Sequence, residues 1–298
     1  MIIVNLKGGL GNQMFQYATG FALAKKKETN LLFDIRLQEE YKINPPPRNI
    51  PRDIDLDIFN ITLEICSKKD LLKVFQFNKN YKIRNLISIF LDKINFLVFR
   101  ERKRIFEQRF LNLKGKTWYL DGHWQSEKYF KDYRKEILKI FNFNSLEDLE
   151  INKKFIKDIL FKKSVCVNVR RTDFINNPEH NVLDVEYYKK AIDIFKNLIG
   201  NDFEIFVFSD DLNWCKKNFL FFNKKVSYVE HNHAGKKFYN YLYLMSRFKY
   251  FIIPNSSFAW WGAWMSQEKD KIIIAPKKWS GLISEDKIDI VPKTWLKI

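Results

Sequence analysis

Cysteine, glycine and proline are all scarce in this chain of 298 residues. The three cysteines, Cys66, Cys166 and Cys215, stand far apart. Their number and spacing exclude a disulfide scaffold and a Cys/His zinc module, and they fit a reducing compartment. Ten glycines and eight prolines exclude collagen-like and low-complexity classes. No window of about 20 apolar residues exists, so a membrane-crossing helix is not expected. The nearest run, Leu86 to Phe99, is broken by Asp92 and Lys93. The opening MIIVNLKGGLGNQMF lacks the basic-then-apolar pattern of a secretory leader. A cytoplasmic location is the expectation, with attachment to the inner face of a membrane left open.

What is present is apolar bulk and positive charge. Hydrophobic residues make up 46% of the chain, and 28 phenylalanines raise the aromatic share to 16%. Such a chain buries a full core, so global disorder is excluded. At roughly 150 residues per domain, the length suggests two domains. The net charge of +17 makes a field attractive to anions. Much of it lies between Lys68 and Lys116, including Arg100, Arg102, Lys103, Arg104 and Arg109. A solvated lysine-rich surface accounts for this stretch, as does docking to an anionic membrane surface. Nucleic acid is not an expected partner, because no helix-turn-helix, zinc-finger, RRM or KH signature is present.

The first forty residues read as strand, glycine loop, helix and strand. MIIVNL is a β-branched apolar run, GGLGN punctuates it, Gln13 to Lys27 has helical spacing, and LLFDI is a second buried strand. This predicts a βαβ unit on a parallel sheet. NPPPRNIPRD (44–53) breaks the pattern. Residues 54–116 read as a basic helical or irregular insertion. TWYLDGHWQ (117–125) reads as a strand and turn. A helix is expected from Ser126, as N-cap, to Phe141.

A second α/β series starts near residue 160. Strands are expected at 164–169, 203–209, 225–229, 250–254 and 271–276. Helices are expected at 185–198, 211–219, 238–247 and 256–266. The chain is therefore expected to be α/β, two Rossmann-like domains with parallel sheets. The first is assigned to residues 1–155 and the second to 156–298. The last residues are allowed to pack back on the first domain.

Ligands of open parallel sheets bind beyond the carboxyl ends of strands. Four such segments carry polar chemistry. KGGLGNQ holds Gly9, Gly11, Asn12 and Gln13; it is either a tight strand–helix turn or a ligand contact, and it matches no dinucleotide or P-loop fingerprint. VNVRRTDF holds Asn168, Arg170, Arg171 and Asp173. A guanidinium there binds a diphosphate through paired hydrogen bonds, or the two charges make an internal pair. In FSDD, Ser209 and Asp210 contact a base or ribose, join an acidic metal pair, or cap the helix that follows. PNSSFAWWGAW sets Asn255, Ser256, Ser257 and Phe258 where a strand meets a helix N-terminus, which suits phosphate. Trp260, Trp261 and Trp264 read as core. His123, beside Trp124 and Gln125, and Asp34 on LLFDI are candidate bases. His231 and His233 find no third ligand, so no metal site is expected.

Taken in order, GGLGNQMFQYATGFALA, GHWQSEKYF, VRRTD, FSDD and YLMS…IIPNSSFAWWGAW resemble glycosyltransferase family 11, the bacterial and animal alpha-1,2-fucosyltransferases. The resemblance runs from residue 1 to about residue 276. It implies the GT-B fold, with the two domains facing across a cleft, and GDP-fucose as donor. It also implies inversion at the anomeric carbon, no essential metal and no cofactor. The acceptor would be O2 of a terminal galactose on a bacterial surface glycan, which can be lipid-linked. Arg170 would hold the β-phosphate and stabilise the leaving group. Asn168, Arg171 and Asp173 belong to the same donor motif. Asn255, Ser256, Ser257 and Phe258 would hold the diphosphate, and Ser209 and Asp210 the ribose or base. Gly9, Gly11, Asn12, Gln13, His123, Trp124 and Gln125 would face the acceptor. The chain departs from the family pattern at Asn168, where histidine is common, at Thr172, where glycine is common, and at Tyr241, where an acid is common.

Overall fold

The computed structural model describes residues 1–45, 52–75, 97–102, 104–143, 153, 155–159, 163–222 and 226–298. The chain divides into two compact units, Met1–Phe141 and Asn142–Ile298. Much of the segment expected to link the domains, and residues 76–96 of the expected basic insertion, lie outside the described residues.

The first unit is built on four parallel strands: β1 (Ile2–Asn5), β2 (Leu31–Asp34), β3 (Val98–Arg100) and β4 (Trp118–Asp121). Their order is β2-β1-β4-β3. Ile2 pairs with Leu31 on one side and with Trp118 on the other. The whole of β1 is buried, as its unbroken apolar run requires of a strand covered on both faces. Helix α1 (Leu10–Lys27) packs Met14, Phe15, Ala18 and Ala22 inward. It approaches the sheet closely at Gly20, where a Cβ would stand 2.4 Å from Val4 Cγ2. α1 starts three residues earlier than its apolar spacing suggests, because Gly9 supplies the extended N-cap. Helices α2 (Arg36–Ile43) and α3 (Lys68–Val74) follow.

Two expectations fail here. The basic insertion contains a strand, β3, which three residues among charges could not announce by periodicity. The segment from Ser126 to Phe141 is not one helix. It makes two 3-10 turns, Glu127–Tyr129 and Lys131–Tyr133, before α4 (Arg134–Ile140), and the Ser126 side chain caps nothing. The backbone is still turning there: Ser126 N donates to the Trp124 carbonyl at 2.8 Å, and Trp124 itself is left-handed at φ 58°.

The second unit alternates strands and helices as expected, with trimmed ends. In order they are β5 (Ser164–Val169), α5 (Val185–Ile199), β6 (Glu204–Ser209), α6 (Leu212–Asn218), β7 (Val226–Tyr228), α7 (Tyr239–Met245), β8 (Tyr250–Ile252), α8 (Ser257–Met265) and β9 (Ile272–Ala275). A short β10 (Leu296–Lys297) then pairs in parallel with β9. The sheet order is β10-β9-β8-β5-β6-β7, all parallel. Val165, Val167, Ile205 and Val207 form one core with Ala191, Ile192 and Phe195 of α5. Each such side chain contributes about 1.5–3 kcal/mol when fully buried. Cys166, Trp260, Trp261 and Trp264 are buried in the core.

Both sheets reverse direction once. In the first, the chain builds β1 and β2 outward, then returns to the other side of β1 with β4. In the second, β5, β6 and β7 run outward before β8 returns beside β5. The crevice at such a reversal, beyond the strands' carboxyl ends, is where doubly wound sheets bind ligands. The reversals lie between β1 and β4, and between β5 and β8.

Candidate functional site

At the reversal of the first sheet, the glycine loop (7–11) leaves β1 and the GHWQ loop (122–125) leaves β4. Three glutamines lace the glycine loop. Gln13 Nε2 donates to the carbonyls of Gly8 and Asp53, and its Oε1 accepts from Asp55 N. Gln16 Oε1 accepts from Lys7 N, and its Nε2 donates to the Lys7 carbonyl at 3.1 Å. Gln38 does the same for Gly8. Gln13 is fully buried with its amide saturated, so it builds the loop and does not face an acceptor. Gly8 adopts φ 78°, and a Cβ there would lie 2.6 Å from the Asn12 amide nitrogen. Asn12 is half-buried, and its Oδ1 accepts from Gln125 Nε2 at 2.8 Å, which joins the two loops across the reversal. Gly9 and Gly11 contribute backbone only.

Trp124 is not a surface contact. It is completely buried against Phe99, Phe110 and Tyr129. The acceptor-facing place that the resemblance implied for it does not hold, because the left-handed turn at residue 124 (φ 58°) goes with a ring packed into the core. His123 is half-buried in the same loop.

Asp34 is also reassigned. Its carboxylate is 2% exposed and accepts from Arg36 Nε and Nη2, at 2.9 and 2.8 Å, and from the Tyr119 hydroxyl at 2.7 Å. Burial would raise its pKa, but hydrogen bonds from Arg36 and Tyr119 and the charge of Arg36 outweigh burial and hold it below the ordinary 3.8. A carboxylate so satisfied is a poor base and a good structural anchor. A group with a depressed folded pKa adds stability above its unfolded pKa and loses it as pH falls through the folded value. Asp34→Asn is therefore expected to cost about 1.5–3 kcal/mol at pH 7, the range for hydrogen bonds to charged groups. Urea denaturation of both proteins checks this, and the gap should close once pH falls well below 3.8.

Two further acids lie at this edge, on neighbouring strands. Asp121 accepts from Lys7 Nζ and Asn5 Nδ2 at 3.0 Å each, and from Arg100 Nε at 3.1 Å. Burial pushes its pKa up, but these cations and hydrogen bonds hold it well below the carboxylate range. Glu101, just past β3, accepts from the main-chain nitrogens of His123 and Trp124. Sequence reasoning missed Glu101, which stands as a single acid in the basic run FRERKR.

At the reversal of the second sheet, three adjacent strands deliver the expected polar segments side by side. Arg170 follows β5, Asp210 follows β6 and Asn255 follows β8. A shallow, solvent-open recess is lined by Arg170, Arg171, Phe174, His180, Trp214 and Asn255, among others. Arg170 is held by Asp173 at 2.7 Å and by Asp210 at 3.3 Å. The Arg171 guanidinium carbon lies over the Trp214 ring, 3.7 Å from its centre, and the side chain pairs with Asp211 at 3.4 Å. Both guanidiniums are oriented yet still about a quarter exposed.

Asp210 does not present a free carboxylate to a base or ribose. It accepts from Arg171 N at 2.9 Å, from Thr172 N at 3.0 Å and from the Thr172 hydroxyl, and it pairs with Arg170. It therefore shapes the arginine turn. The helix cap among the alternatives for FSDD falls to Asp211, whose Oδ1 accepts from Trp214 N, while Ser209 Oγ accepts from Asp211 N. Asn255 Nδ2 donates to the carbonyls of His180 and Trp279, which ties the recess walls together. Ser256 caps α8 by accepting from Ala259 N, and Ser257 and Phe258 stand half-buried at the first turn of that nine-residue helix.

The departures from the family pattern are internally satisfied. Asn168 is buried with its amide against Met245 Sδ at 3.7 Å. Tyr241 is buried and donates to the Val229 carbonyl. His231 contacts the Ser209 carbonyl at 3.0 Å, and His233 packs against Phe155 at a tilt of 39°.

Two doubly wound parallel units are the pair of halves that the GT-B class of glycosyltransferases comprises. An arginine-rich recess lies at the reversal of the second, and a glutamine-laced glycine loop at that of the first. The profile of Glycosyl transferase family 11 matches residues 1–298, and the chain belongs to that family. It is 31% identical over 307 residues to an alpha-1,2-colitosyltransferase of Escherichia coli, covering 100% of this chain and 99% of that protein. It is 33% identical over 317 residues to the O-antigen biosynthesis glycosyltransferase WbnK of Escherichia coli, covering 98% and 99%. A galactoside 2-alpha-L-fucosyltransferase of Caenorhabditis elegans is 26% identical, covering 100% of this chain and 79% of its own. Among the described residues, no helix is long and apolar enough to cross a membrane.

Proposed function

We propose that this glycosyltransferase moves L-fucose from GDP-fucose to O2 of a terminal galactose, with inversion at the anomeric carbon and no essential metal. The acceptor is a bacterial surface glycan such as an O-antigen, carried on a lipid at the cytoplasmic face of the membrane. The observation that carries this reading is the oriented, part-exposed arginine pair at the reversal of the second sheet. A diphosphate there meets a guanidinium already fixed by Asp173 and Asp210. Breaking the bond from sugar to phosphate develops negative charge on the departing oxygen, and a preorganised cation stabilises that charge. The half-buried Ser257 at the N-terminus of α8 supports a second anion contact.

The relatives' names support an alpha-1,2 transfer and a role in O-antigen assembly. The relative named for colitosyl transfer favours a second reading, in which the donor is the GDP derivative of that sugar. Thermal shifts with GDP, GDP-fucose, GDP-mannose, UDP-galactose and ADP, each with and without EDTA, test the donor site. Ligand at a hundred times its dissociation constant adds about 2.7 kcal/mol of stability. The expected result is a guanine-selective shift that survives EDTA, followed by transfer to β-galactosides. No shift at millimolar guanine nucleotide would sink the proposal. Preference for a colitosyl over a fucosyl donor would move it to the second reading.

A further inference from the structure

We propose that Glu101 is the proton acceptor for the attacking hydroxyl, bound at the carboxyl edge of the first sheet. This deepens the transferase reading and rests on it.

The geometry separates Glu101 from every other acid at that edge. Its Oε2 accepts from His123 N at 2.7 Å and from Trp124 N at 3.0 Å. Those bonds fix the carboxylate against the GHWQ loop, at the reversal between β1 and β4. Gly122 makes room for it: a Cβ on Gly122 would lie 2.6 Å from Glu101 Cβ and 2.9 Å from Oε2. Oε1 carries no hydrogen bond among the described residues, and the side chain is only half-buried. No cation pairs with Glu101 there, whereas its neighbour Asp121 holds Lys7 and Arg100.

Two carboxylates on adjacent strands are thus driven apart. Asp121 is ionised throughout the physiological range. Burial raises Glu101 to about 7, against the lowering effect of the Trp124 and His123 N–H groups and the Lys7 charge, and with a raising effect from Glu107. The charged and titratable groups around it are Lys7, Arg100, Asp121, Glu107 and His123. Glu107 is itself paired with Arg109 at 2.6 Å. Asp34 is tied to Arg36 and Tyr119, so Glu101 is the acid at this edge poised to accept a proton near neutrality. A base works best with a pKa near the operating pH.

The step balances without a co-reactant. The hydroxyl oxygen forms the new bond to the sugar's anomeric carbon. The bond from that carbon to the phosphate oxygen breaks, and its electron pair leaves with the diphosphate. The hydroxyl proton passes to Glu101 Oε1, and solvent then removes it.

The test is the pH dependence of kcat and of kcat/KM for the wild type, Glu101→Gln and Glu101→Asp. Glutamine keeps an oxygen to accept both loop N–H bonds, so the fold and the thermal shift with GDP should stay unchanged. The wild-type rate should fall as pH drops below about 7, because the base must be ionised. Glu101→Gln should lose about 10²–10⁴-fold in kcat, with little change in donor KM, and should lose that acid limb. Glu101→Asp should retain the limb at reduced rate. A Glu101→Gln enzyme with near wild-type kcat and an unchanged profile overturns the assignment and leaves the transferase reading standing. A wild type that transfers no sugar from any donor overturns both. If Glu101→Gln loses its fold, Glu101→Asp, which keeps a carboxylate for the loop N–H groups, decides: an acid limb displaced from that of the wild type supports the base, and a limb and rate identical to the wild type reject it.

Discussion

Arg170→Ala is expected to lower transfer by about 10²–10³-fold, the cost of removing one preorganised donor to a developing negative charge. The loss should fall on kcat, because the guanidinium matters most when the phosphate oxygen gains its charge. The fold should survive. Arg170 side-chain exposure is 29%, and its partners Asp173 and Asp210 keep solvent or loop contacts when it is gone. Asp210 retains the Arg171 and Thr172 main-chain bonds that shape the turn. Arg170→Lys should recover little, since an ammonium cannot reproduce a planar fork held by two carboxylates. Steady-state transfer, with melting temperature as a control, checks the claim. Turnover within several-fold of the wild type would remove Arg170 from the mechanism.

Trp124→Ala should act in the opposite way, through stability. Its ring is fully buried, with centroids 5.8, 5.6 and 5.3 Å from those of Phe99, Phe110 and Tyr129. Truncating a buried tryptophan costs about 3–5 kcal/mol, from lost transfer energy and the cavity left behind. At roughly 2–4 °C per kcal/mol for a domain of this size, melting should fall by some 6–20 °C. The ring also holds residue 124 in its left-handed turn, so the loop carrying His123 and Gln125 should loosen. Acceptor KM should rise while GDP still shifts the melt. Urea denaturation and acceptor titration below the melting temperature check both parts. A variant as stable as the wild type would show that the loop is held by its hydrogen bonds to Glu101 and Asn12 and not by the ring.

Much of this molecule was legible as text. The β-branched runs at 2–5, 164–169, 204–209 and 272–275 are buried on both faces of parallel sheets, and uninterrupted apolar strands of that length have few other uses. Chemistry placed just past such strands was legible too, because a parallel sheet delivers its carboxyl ends to one edge. That reasoning placed Arg170, Asp210, Asn255 and the glycine loop at strand ends, though not what each of them contacts.

What failed in the text failed for one reason: a polar side chain does not announce its partner. Gln13 and Asp210 read as ligand contacts, and both are saturated by nearby main-chain groups. Asp34 read as a base, but Arg36 pairs with its charge and the Tyr119 hydroxyl donates to it. Gln16, Gln38 and Glu101 carry no motif, yet they build the loops that the motifs belong to. β3 was hidden because three residues among charges show no period.

The sequence by itself determined the α/β class, the family and the strand ends at which ligands meet the sheets. Periodicity and the order of polar segments are local properties, and the chain writes them directly. The tertiary structure decided which carboxylates are neutralised by cations and which stands alone at a loop. Burial and pairing set a carboxylate's pKa, and both depend on residues far apart in the chain: Asp121 meets Lys7 across 114 positions, and Glu101 meets Trp124 across 23.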